Sequence, residues 1–383
     1  MKILIKIIIF FHIICIFGNS NIWANEKIKI GLLVPLTGKD KQVGESIIKS
    51  IRLAINKIDN SIIEIIPKDT MSNPETTLRS ARELSIEGVK VVIGPVFNKN
   101  LIYLNEMENM IFLSLTNKII NDQNNIISAG INSISQFNTL SKFQKINKLK
   151  KTIILIPKEN YMEEIEKGIK YSKIDNKRVY YYDSEPTVLT KQIEKITKYK
   201  IRKRNLDDAV KEMEKSNDPN KERKLENLNK KDTLGNLNFD SIIISDFDES
   251  LKSIITSLLY TDVSPENIYF LTLNQWFDQS LLKEKNFQPI YFPSINKNNY
   301  DTFVENYHKK FDEYPNQLSF LSYDLVGLVY YLIIQNNFVV DKKMFLKKNM
   351  FKGKIGIFEV KNNKINHILN FYKVENEEFK KIF

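Results

Sequence analysis

Between residues 28 and 58 the hydrophobic pattern changes from that of a buried strand to that of a helix. An apolar run extends from Ile28 to Val34 and ends at Pro35. From Val43 onward the apolar residues recur every three or four positions, which is the stripe of an amphipathic helix. A strand followed at once by a helix predicts the first unit of a parallel α/β sheet, whose ligands bind beyond the carboxyl ends of the strands. The loop at 35–43 therefore either forms part of a site or only joins two elements.

The same alternation recurs along the chain and predicts a doubly wound fold. Further strands are expected at 62–67, 89–93, 111–115, 152–156, 178–182, 241–245, 268–273 and 289–292. Asn73 and Pro74 are typical of a helix start, and the segment 318–334 is apolar nearly all round, as in a deeply packed helix. Two final strands, 355–360 and 365–372, predict a terminal hairpin.

Length and the N-terminal sequence indicate the number of domains and the cellular location. The chain has 383 residues, of which 42% are hydrophobic, enough for two domains. Residues 1–24 carry Lys2 and Lys6 before an apolar run that ends at Phe17, and Ala24 offers a small residue at a cleavage point. This is typical of a secretory signal peptide, with a retained amphipathic anchor as the alternative. A periplasmic location is therefore expected, and cleavage would remove Cys15, the only cysteine.

Charge and chemistry exclude several function classes. The net charge of +11 falls to +9 without residues 1–24, and its lysines are scattered, which argues against nucleic-acid binding. Without that cysteine, and with His308 and His367 far apart, neither a metal site nor a catalytic triad is indicated, so we expect no enzyme and no cofactor. The acidic cluster of Asp246, Asp248 and Glu249 is interpreted either as a helix cap or as a cation site.

One segment departs from the alternation. Residues 198–238 are dominated by charged and amide side chains, with few apolar positions. The pattern predicts one amphipathic helix at 205–215 and a solvated loop elsewhere, with a partner-binding arm as the alternative.

Loops at the ends of the predicted strands carry the aromatic, hydroxyl and amide groups that hold small polar ligands. These loops contain the candidate ligand-binding residues, which are Thr37, Phe97, Asn98, Ser114, Thr116, Tyr161, Phe247, Asn274 and Trp276.

Three segments together resemble the type I periplasmic solute-binding proteins of the leucine/isoleucine/valine class. They are IKIGLLVPLTG at 28–38, VVIGP at 91–95 and LSYDL at 321–325. The resemblance implies two doubly wound, parallel-sheet α/β lobes joined by a three-crossing hinge that closes on a ligand. It implies a first lobe of 25–147 with 288–348, and a second lobe of 148–287 with 349–383.

Residue by residue, the amino-acid pattern of that family is altered. Asn98 stands where the family has the serine that holds the ligand carboxylate, and Val43 replaces an aromatic residue. Asn274 stands where the family has the acid that pairs with the ligand ammonium. Tyr161 and Phe247 keep their aromatic character. An amino acid whose ammonium group finds no carboxylate on the protein loses a charge-assisted hydrogen bond of about 1.5–3 kcal/mol. Branched-chain amino acids are therefore not the expected cargo.

A neighbouring subgroup explains these departures differently. The segments YTDVSP at 260–265 and QWFD at 275–278 resemble solute-binding-like domains assigned to penicillin-binding protein activators. Two functions follow as expectations. One is a periplasmic protein that binds a small polar solute and delivers it to an ABC permease. The other is a non-enzymatic docking protein for a peptidoglycan synthase.

Overall fold

The computed structural model describes residues 27–58, 62–120, 124–175 and 177–383, so the predicted signal peptide lies outside the described residues. The strands are β1 (Ile28–Val34), β2 (Ile63–Asp69), β3 (Val91–Ile93), β4 (Ile111–Ser114), β5 (Ile126–Ser128), β6 (Thr152–Pro157), β7 (Lys177–Tyr182), β8 (Ser241–Ile244), β9 (Tyr269–Thr272), β10 (Ile290–Ser294), β11 (Asn349–Lys352), β12 (Ile357–Lys361), β13 (Lys364–Ile368), β14 (Asn370–Glu375) and β15 (Glu378–Lys381). The α-helices are α1 (Lys41–Ile55), α2 (Pro74–Ile86), α3 (Ser133–Ile146), α4 (Met162–Tyr171), α5 (Pro186–Ile196), α6 (Tyr199–Lys215), α7 (Lys221–Asn229), α8 (Asp248–Tyr260), α9 (Ser280–Lys283), α10 (Lys297–Phe311) and α11 (Gln317–Gln335).

Two large sheets form the centres of two lobes. The first is wholly parallel, in the order β2-β1-β3-β4-β5. The second has the order β15-β14-β10-β9-β8-β6-β7 and is parallel from β10 to β7, with β14 and β15 added antiparallel at one edge. β11, β12 and β13 form a third, antiparallel sheet. The predicted α/β class with two doubly wound lobes is confirmed.

Local signals explain the element boundaries. The Asn73 side chain accepts a hydrogen bond from the Thr76 backbone N–H and caps α2, with Pro74 as the first helical residue, as the sequence predicts.

α11 is long and apolar enough to cross a membrane, but most of it is packed inside the protein. It packs on α1, where the hydroxyls of Ser46 and Ser319 lie 2.6 Å apart. α11 is therefore a core helix of the first lobe.

The chain passes between the two lobes three times, and these crossings lie at other residues than the sequence predicts. β10 belongs to the second sheet, although the first lobe was expected to resume at residue 288. α3, expected in the first lobe, packs on α4, and its Ser133 hydroxyl donates to the Glu164 carbonyl at 2.6 Å. The third sheet packs on α11, whereas residues from 349 onward were assigned to the second lobe. The crossings therefore fall at 129–132, 295–296 and 369 instead of near 147, 288 and 348.

The C-terminal strands also differ from the prediction. β12 and β13 form a hairpin whose turn residues, Asn362 and Asn363, both have positive φ. The expected strand at 365–372 is broken at Leu369, because β14 leaves the hairpin to pair with β10 and β15. A second hairpin, β14–β15, therefore ends the chain's described structure.

The charged segment 198–238 is more ordered than its composition suggests. It contains two helices, α6 and α7, where the sequence predicts one helix and a loop. Arg202 of α6 is buried and donates to the Thr233 hydroxyl at 2.8 Å and to the backbone carbonyls of Thr197 and Thr261. These bonds fix the helical hairpin, defined here as α6 and α7, to the second lobe.

Candidate functional site

A cleft of about 390 Å³ lies between the two lobes, at the carboxyl ends of strands from both large sheets. This is the position in which parallel α/β sheets bind ligands. Its lining residues come from loops of both lobes and from the start of α11. They are Val96, Phe97, Asn98, Leu115, Thr116, Asn117, Lys118, Gly130, Ile131, Gln136, Phe247, Asn274, Trp276, Gln317, Leu318 and Leu321.

The loop after β3 forms part of the first-lobe wall. Gly94 begins it with φ of +106°, and a Cβ on this residue would lie 2.2 Å from the Leu33 carbonyl oxygen, so only glycine fits. The Ser114 hydroxyl donates to the Pro95 carbonyl at 2.9 Å and fixes the loop to the next strand. Phe97 is half-buried and Asn98 is exposed at the cleft.

The loop after β4 forms the rest of this wall, next to the first crossing. The Thr116 carbonyl accepts hydrogen bonds from the Gly130 N–H at 3.1 Å and from the Ser128 hydroxyl at 2.8 Å. A Cβ on Gly130 would lie 2.3 Å from the same carbonyl oxygen. The crossing therefore packs directly against the wall of the cleft. A side chain at Gly130 would push the two segments apart.

The start of α11 completes the first-lobe wall. Asn316 caps the helix by accepting from the Leu318 N–H at 2.9 Å, and its own N–H donates to Ser46 of α1 at 2.9 Å. This anchoring presents Gln317, Leu318 and Leu321 to the cleft.

The second-lobe wall is centred on Asn274, which follows β9 and is buried. Its Oδ1 accepts from the Ser294 hydroxyl at 2.8 Å and from the Trp276 N–H at 3.0 Å. Its backbone N–H donates to the Oε1 of Gln136 at 2.8 Å. Trp276 and Phe277 both have positive φ, a strained conformation that this network holds in place. The amide and the indole therefore reach the cleft in fixed orientations.

Behind Phe247 lies a buried carboxylate. Asp246 accepts from the hydroxyls of Tyr161 at 2.8 Å and Tyr182 at 2.5 Å, and from the Phe247 N–H at 2.9 Å. Burial, together with the bonds to Asp246, raises the pKa of both tyrosines, so their hydroxyls stay protonated and act as donors. The Tyr161 ring meets Phe247 at an angle of 63°, with ring centroids 5.8 Å apart. The network positions Phe247 against the cleft.

The electrostatic character of the cleft is simple. Among the described lining residues the only ionisable side chain is Lys118, and five carry amides. The amides are Asn98, Asn117, Gln136, Asn274 and Gln317. The remaining lining is mostly apolar or aromatic. Such a wall can donate to carbonyl and carboxylate oxygens and pack on an apolar group, but it offers no carboxylate to a ligand ammonium.

Sequence and structure comparisons agree with this architecture. The profile of the family described as periplasmic binding protein matches residues 27–128. The leucine-binding protein LivK of Thermotoga maritima is 15% identical with a TM-score of 0.55, over 93% of this chain and 98% of its own. A putative branched-chain amino acid ABC transporter protein of Rhodospirillum rubrum is 12% identical with a TM-score of 0.65, over 93% and 100%.

The chain has the type I periplasmic binding protein fold.

The same fold occurs in a regulator. The C-domain of LpoA from Haemophilus influenzae, described as a regulator of PBP1A, is 14% identical with a TM-score of 0.62, over 93% of this chain and 100% of that domain. In full-length LpoA the match spans 60% of the length. No curated protein sequence matches this chain. The structural neighbours named here are thus binding proteins and a regulator, and at these identities they establish the fold alone.

Six of the nine residues predicted from the sequence line the cleft. They are Phe97, Asn98, Thr116, Phe247, Asn274 and Trp276. The other three do not line it. Thr37 donates to Asp69 at 2.6 Å, Ser114 is buried behind Pro95, and Tyr161 acts through Asp246.

The sequence interpretation missed Asn117 and Lys118 in the loop after β4, Gly130 and Ile131 after β5, and the lining residues that do not follow a strand. Gln136 lies one turn into α3, and Gln317 begins α11, which was identified only as a core helix. The Asn316 capping signal could have placed the start of α11, but not its approach to the strand ends. The acidic cluster resolves into two roles, since Asp246 binds the two tyrosines and Asp248 and Glu249 occupy the first turn of α8. The described residues contain no cluster suited to a metal ion.

Proposed function

We propose that this protein is a non-enzymatic periplasmic binding protein that holds a small polar solute between its lobes and delivers it to an ABC permease. The observation that carries the proposal is the cleft, which is walled by both lobes at the carboxyl ends of their strands. Its volume of about 390 Å³ is within the usual range for small-molecule sites. The signal-peptide pattern in residues 1–24 supports export.

The lining favours a ligand without a free ammonium group. Asn274 supplies an amide where an ammonium-binding carboxylate is expected, and its Oδ1 already accepts two hydrogen bonds. Lys118 can attract a carboxylate, while Leu318, Leu321 and the aromatic residues can enclose an apolar side chain. An N-acylated amino acid fits this combination better than the free zwitterion, because burying an unpaired ammonium is costly.

A thermal-shift comparison of N-acetyl-L-leucine with L-leucine tests the ligand class. It uses residues 25–383, which contain every described element. A ligand present at a hundred times its dissociation constant stabilises the folded state by about 2.7 kcal/mol. We expect N-acetyl-L-leucine to raise the midpoint and L-leucine to have little effect. A larger shift with L-leucine would contradict the ligand class, and no shift with amino acids, acylated amino acids, short peptides or muropeptides would contradict solute binding itself.

Two aromatic variants show whether the ligand occupies this cleft. Phe97→Ala removes an aromatic ring from the first-lobe wall and Phe247→Ala removes one from the second. Tyr314→Ala is the matched control, because Tyr314 is exposed and absent from the lining. Both wall variants should reduce the ligand-induced shift, and the control should retain it. A full shift in both wall variants would place the ligand elsewhere.

A second function is favoured by the helical hairpin. α6 and α7 project charged, exposed side chains from the second lobe, and buried Arg202 fixes their orientation. A rigid charged arm suits a docking protein for a peptidoglycan synthase. The test is pull-down of a purified synthase with the chain and with a Lys203→Glu, Arg204→Glu, Lys211→Glu variant. Capture by the chain but not by this variant would support docking, and no capture by either would contradict it.

A further inference from the structure

The third sheet leaves one of its faces open to solvent. Its register fixes which side chains share that face: Met350 stands opposite Glu359, Lys352 opposite Ile357, and Lys361 opposite Lys364. The alternate residues, such as Phe351 and Phe358, face inward and pack on each other, with Phe351 also on Tyr331 of α11. The outward side chains therefore form one continuous surface that is independent of the cleft.

Large apolar side chains are exposed on and beside this face. Met350 is 45% exposed and Ile368 is 48% exposed on the sheet itself. Leu346, 47% exposed, is joined to the β12–β13 turn because its carbonyl accepts from the Asn362 N–H at 3.1 Å. Phe338, 58% exposed, lies in the loop that leads to this sheet. These apolar groups are distributed over the face and its borders, and several exposed apolar groups on one face commonly mark an interaction surface.

The same region concentrates positive charge, although lysines are scattered over the chain as a whole. Residues 336–364 contain eight lysines and two acidic residues, a net charge of +6 out of the chain's +11. Among the described residues, the only ion pair of these lysines joins Lys348 to Glu359 at 3.2 Å. Lys361 and Lys364 stand directly opposite each other, an arrangement of like charges that destabilises a hairpin unless an anion offsets it.

We propose that this surface docks on an anionic phospholipid membrane. It is called the basic face, and its exposed apolar and lysine residues are Leu346, Met350, Lys348, Lys352, Lys361, Lys364 and Ile368. Glu359 shares this face and pairs with Lys348. Separate apolar side chains set among lysines match the interface of a bilayer, where the lysines meet headgroup phosphates and the apolar groups enter the acyl boundary. An extended apolar core, as in a stable protein interface, is not what the register produces, because Lys352, Lys361 and Lys364 interrupt it.

Vesicle co-sedimentation of residues 25–383 tests the proposal, since residues 1–24 would bind lipid by themselves. The vesicles contain equal parts of phosphatidylglycerol and phosphatidylcholine, or phosphatidylcholine alone. We expect binding to the anionic vesicles at low ionic strength, with little binding to the neutral vesicles and a marked loss in high salt. Equal binding to both vesicle types would overturn the proposal.

Lysine variants locate the binding. The basic-face variant carries Lys352→Gln, Lys361→Gln and Lys364→Gln, and a matched control carries Lys191→Gln, Lys195→Gln and Lys215→Gln on exposed positions of α5 and α6. Each juxtamembrane lysine contributes about 1 kcal/mol, so the first variant should bind roughly a hundredfold more weakly and the control within a few fold of the parent. An equal loss in both would overturn the assignment to this face.

An apolar variant and a soluble polyanion complete the test. Leu346→Ser with Met350→Ser should weaken vesicle binding while leaving all lysines in place, and urea unfolding checks that both sets of variants remain folded. Vesicle binding undiminished in this variant would contradict insertion of the apolar groups. Binding to polyglutamate with no binding to vesicles would overturn the proposal and assign the basic face to an acidic polymer.

Discussion

The two walls of the cleft are built differently. In the second lobe, Asn274 is held by three hydrogen bonds, and the carboxylate behind Phe247 is held by three more. In the first lobe, the side chains of Asn98, Asn117 and Lys118 make no hydrogen bond to any described residue. One wall is therefore preorganised, and the other keeps adaptable polar groups. This difference suggests that the second lobe orients a ligand and the first lobe closes over it.

The network behind the second wall should contribute most to stability. Asp246→Ala would leave the half-buried Tyr161 hydroxyl and the buried Tyr182 hydroxyl without their acceptor and should lower the free energy of unfolding by about 4 kcal/mol. Tyr161→Phe removes only one bond and should cost about 1 kcal/mol. Urea denaturation measures both. Equal, small effects would mean that the second wall is no more rigid than the first.

Two buried groups packed against the segments near the crossings titrate in opposite directions. Burial raises the pKa of Asp324 on α11 to about 6, despite donation from the Ile355 N–H at 2.6 Å. Burial lowers the pKa of His367 to about 4, and its Nε2 lies 2.9 Å from the Ala129 carbonyl oxygen at the first crossing. A change in the protonation of Asp324 therefore alters its contact with Ile355, and a change in the protonation of His367 alters its contact with Ala129.

The signs follow from proton linkage. The folded state binds a proton at Asp324 more tightly than the unfolded state does, so this stabilisation is present below about pH 4 and is lost as the pH rises through 6. The folded state binds a proton at His367 more weakly, so stability is lost as the pH falls from about 6.5 through 4. Each shift corresponds to about 3 kcal/mol, and in the parent protein the two largely cancel.

Single variants should expose the two slopes. Relative to the parent, Asp324→Asn should gain about 3 kcal/mol between pH 4 and 7, and His367→Gln should gain about 3 kcal/mol as the pH falls over the same range. Urea unfolding at several pH values measures both differences. Parallel curves for parent and variants would show that neither group titrates abnormally.

The smallest effect on stability should come from the first wall. Asn98 is exposed and its side chain makes no hydrogen bond to a described residue, so Asn98→Ala should change the unfolding free energy by less than about 0.5 kcal/mol. Its effect should appear instead as weaker binding of N-acetyl-L-leucine. If Asn98→Ala lowered stability but left affinity unchanged, Asn98 would be a structural residue and the proposed difference between the two walls would be wrong.

The sequence predicted those parts of the fold that local periodicity determines. The apolar runs identified the buried strands, and the strand-end loops identified six cleft residues, because parallel strands must end at one edge. The periodicity could not identify Gln136 and Gln317, which reach the cleft only through the packing of α3 and α11. In the charged segment the sequence predicted a helix at 205–215, within α6, but missed α7 and the packing of the hairpin, because its order depends on Arg202, whose partners are up to 60 residues away. The crossings were misplaced because a buried strand such as β10 looks the same in either sheet.

Lobe closure around one ligand is the central claim, and a distance across the cleft tests it most directly. Residues 25–383 contain no cysteine, so spin labels can be placed at Ile102→Cys in the first lobe and Glu163→Cys in the second, which border the same outer groove. Electron spin resonance then measures the distance between the two labels with and without N-acetyl-L-leucine. The distance distribution should shorten and narrow when the ligand binds. A distribution unchanged at saturating ligand would contradict closure of the two lobes.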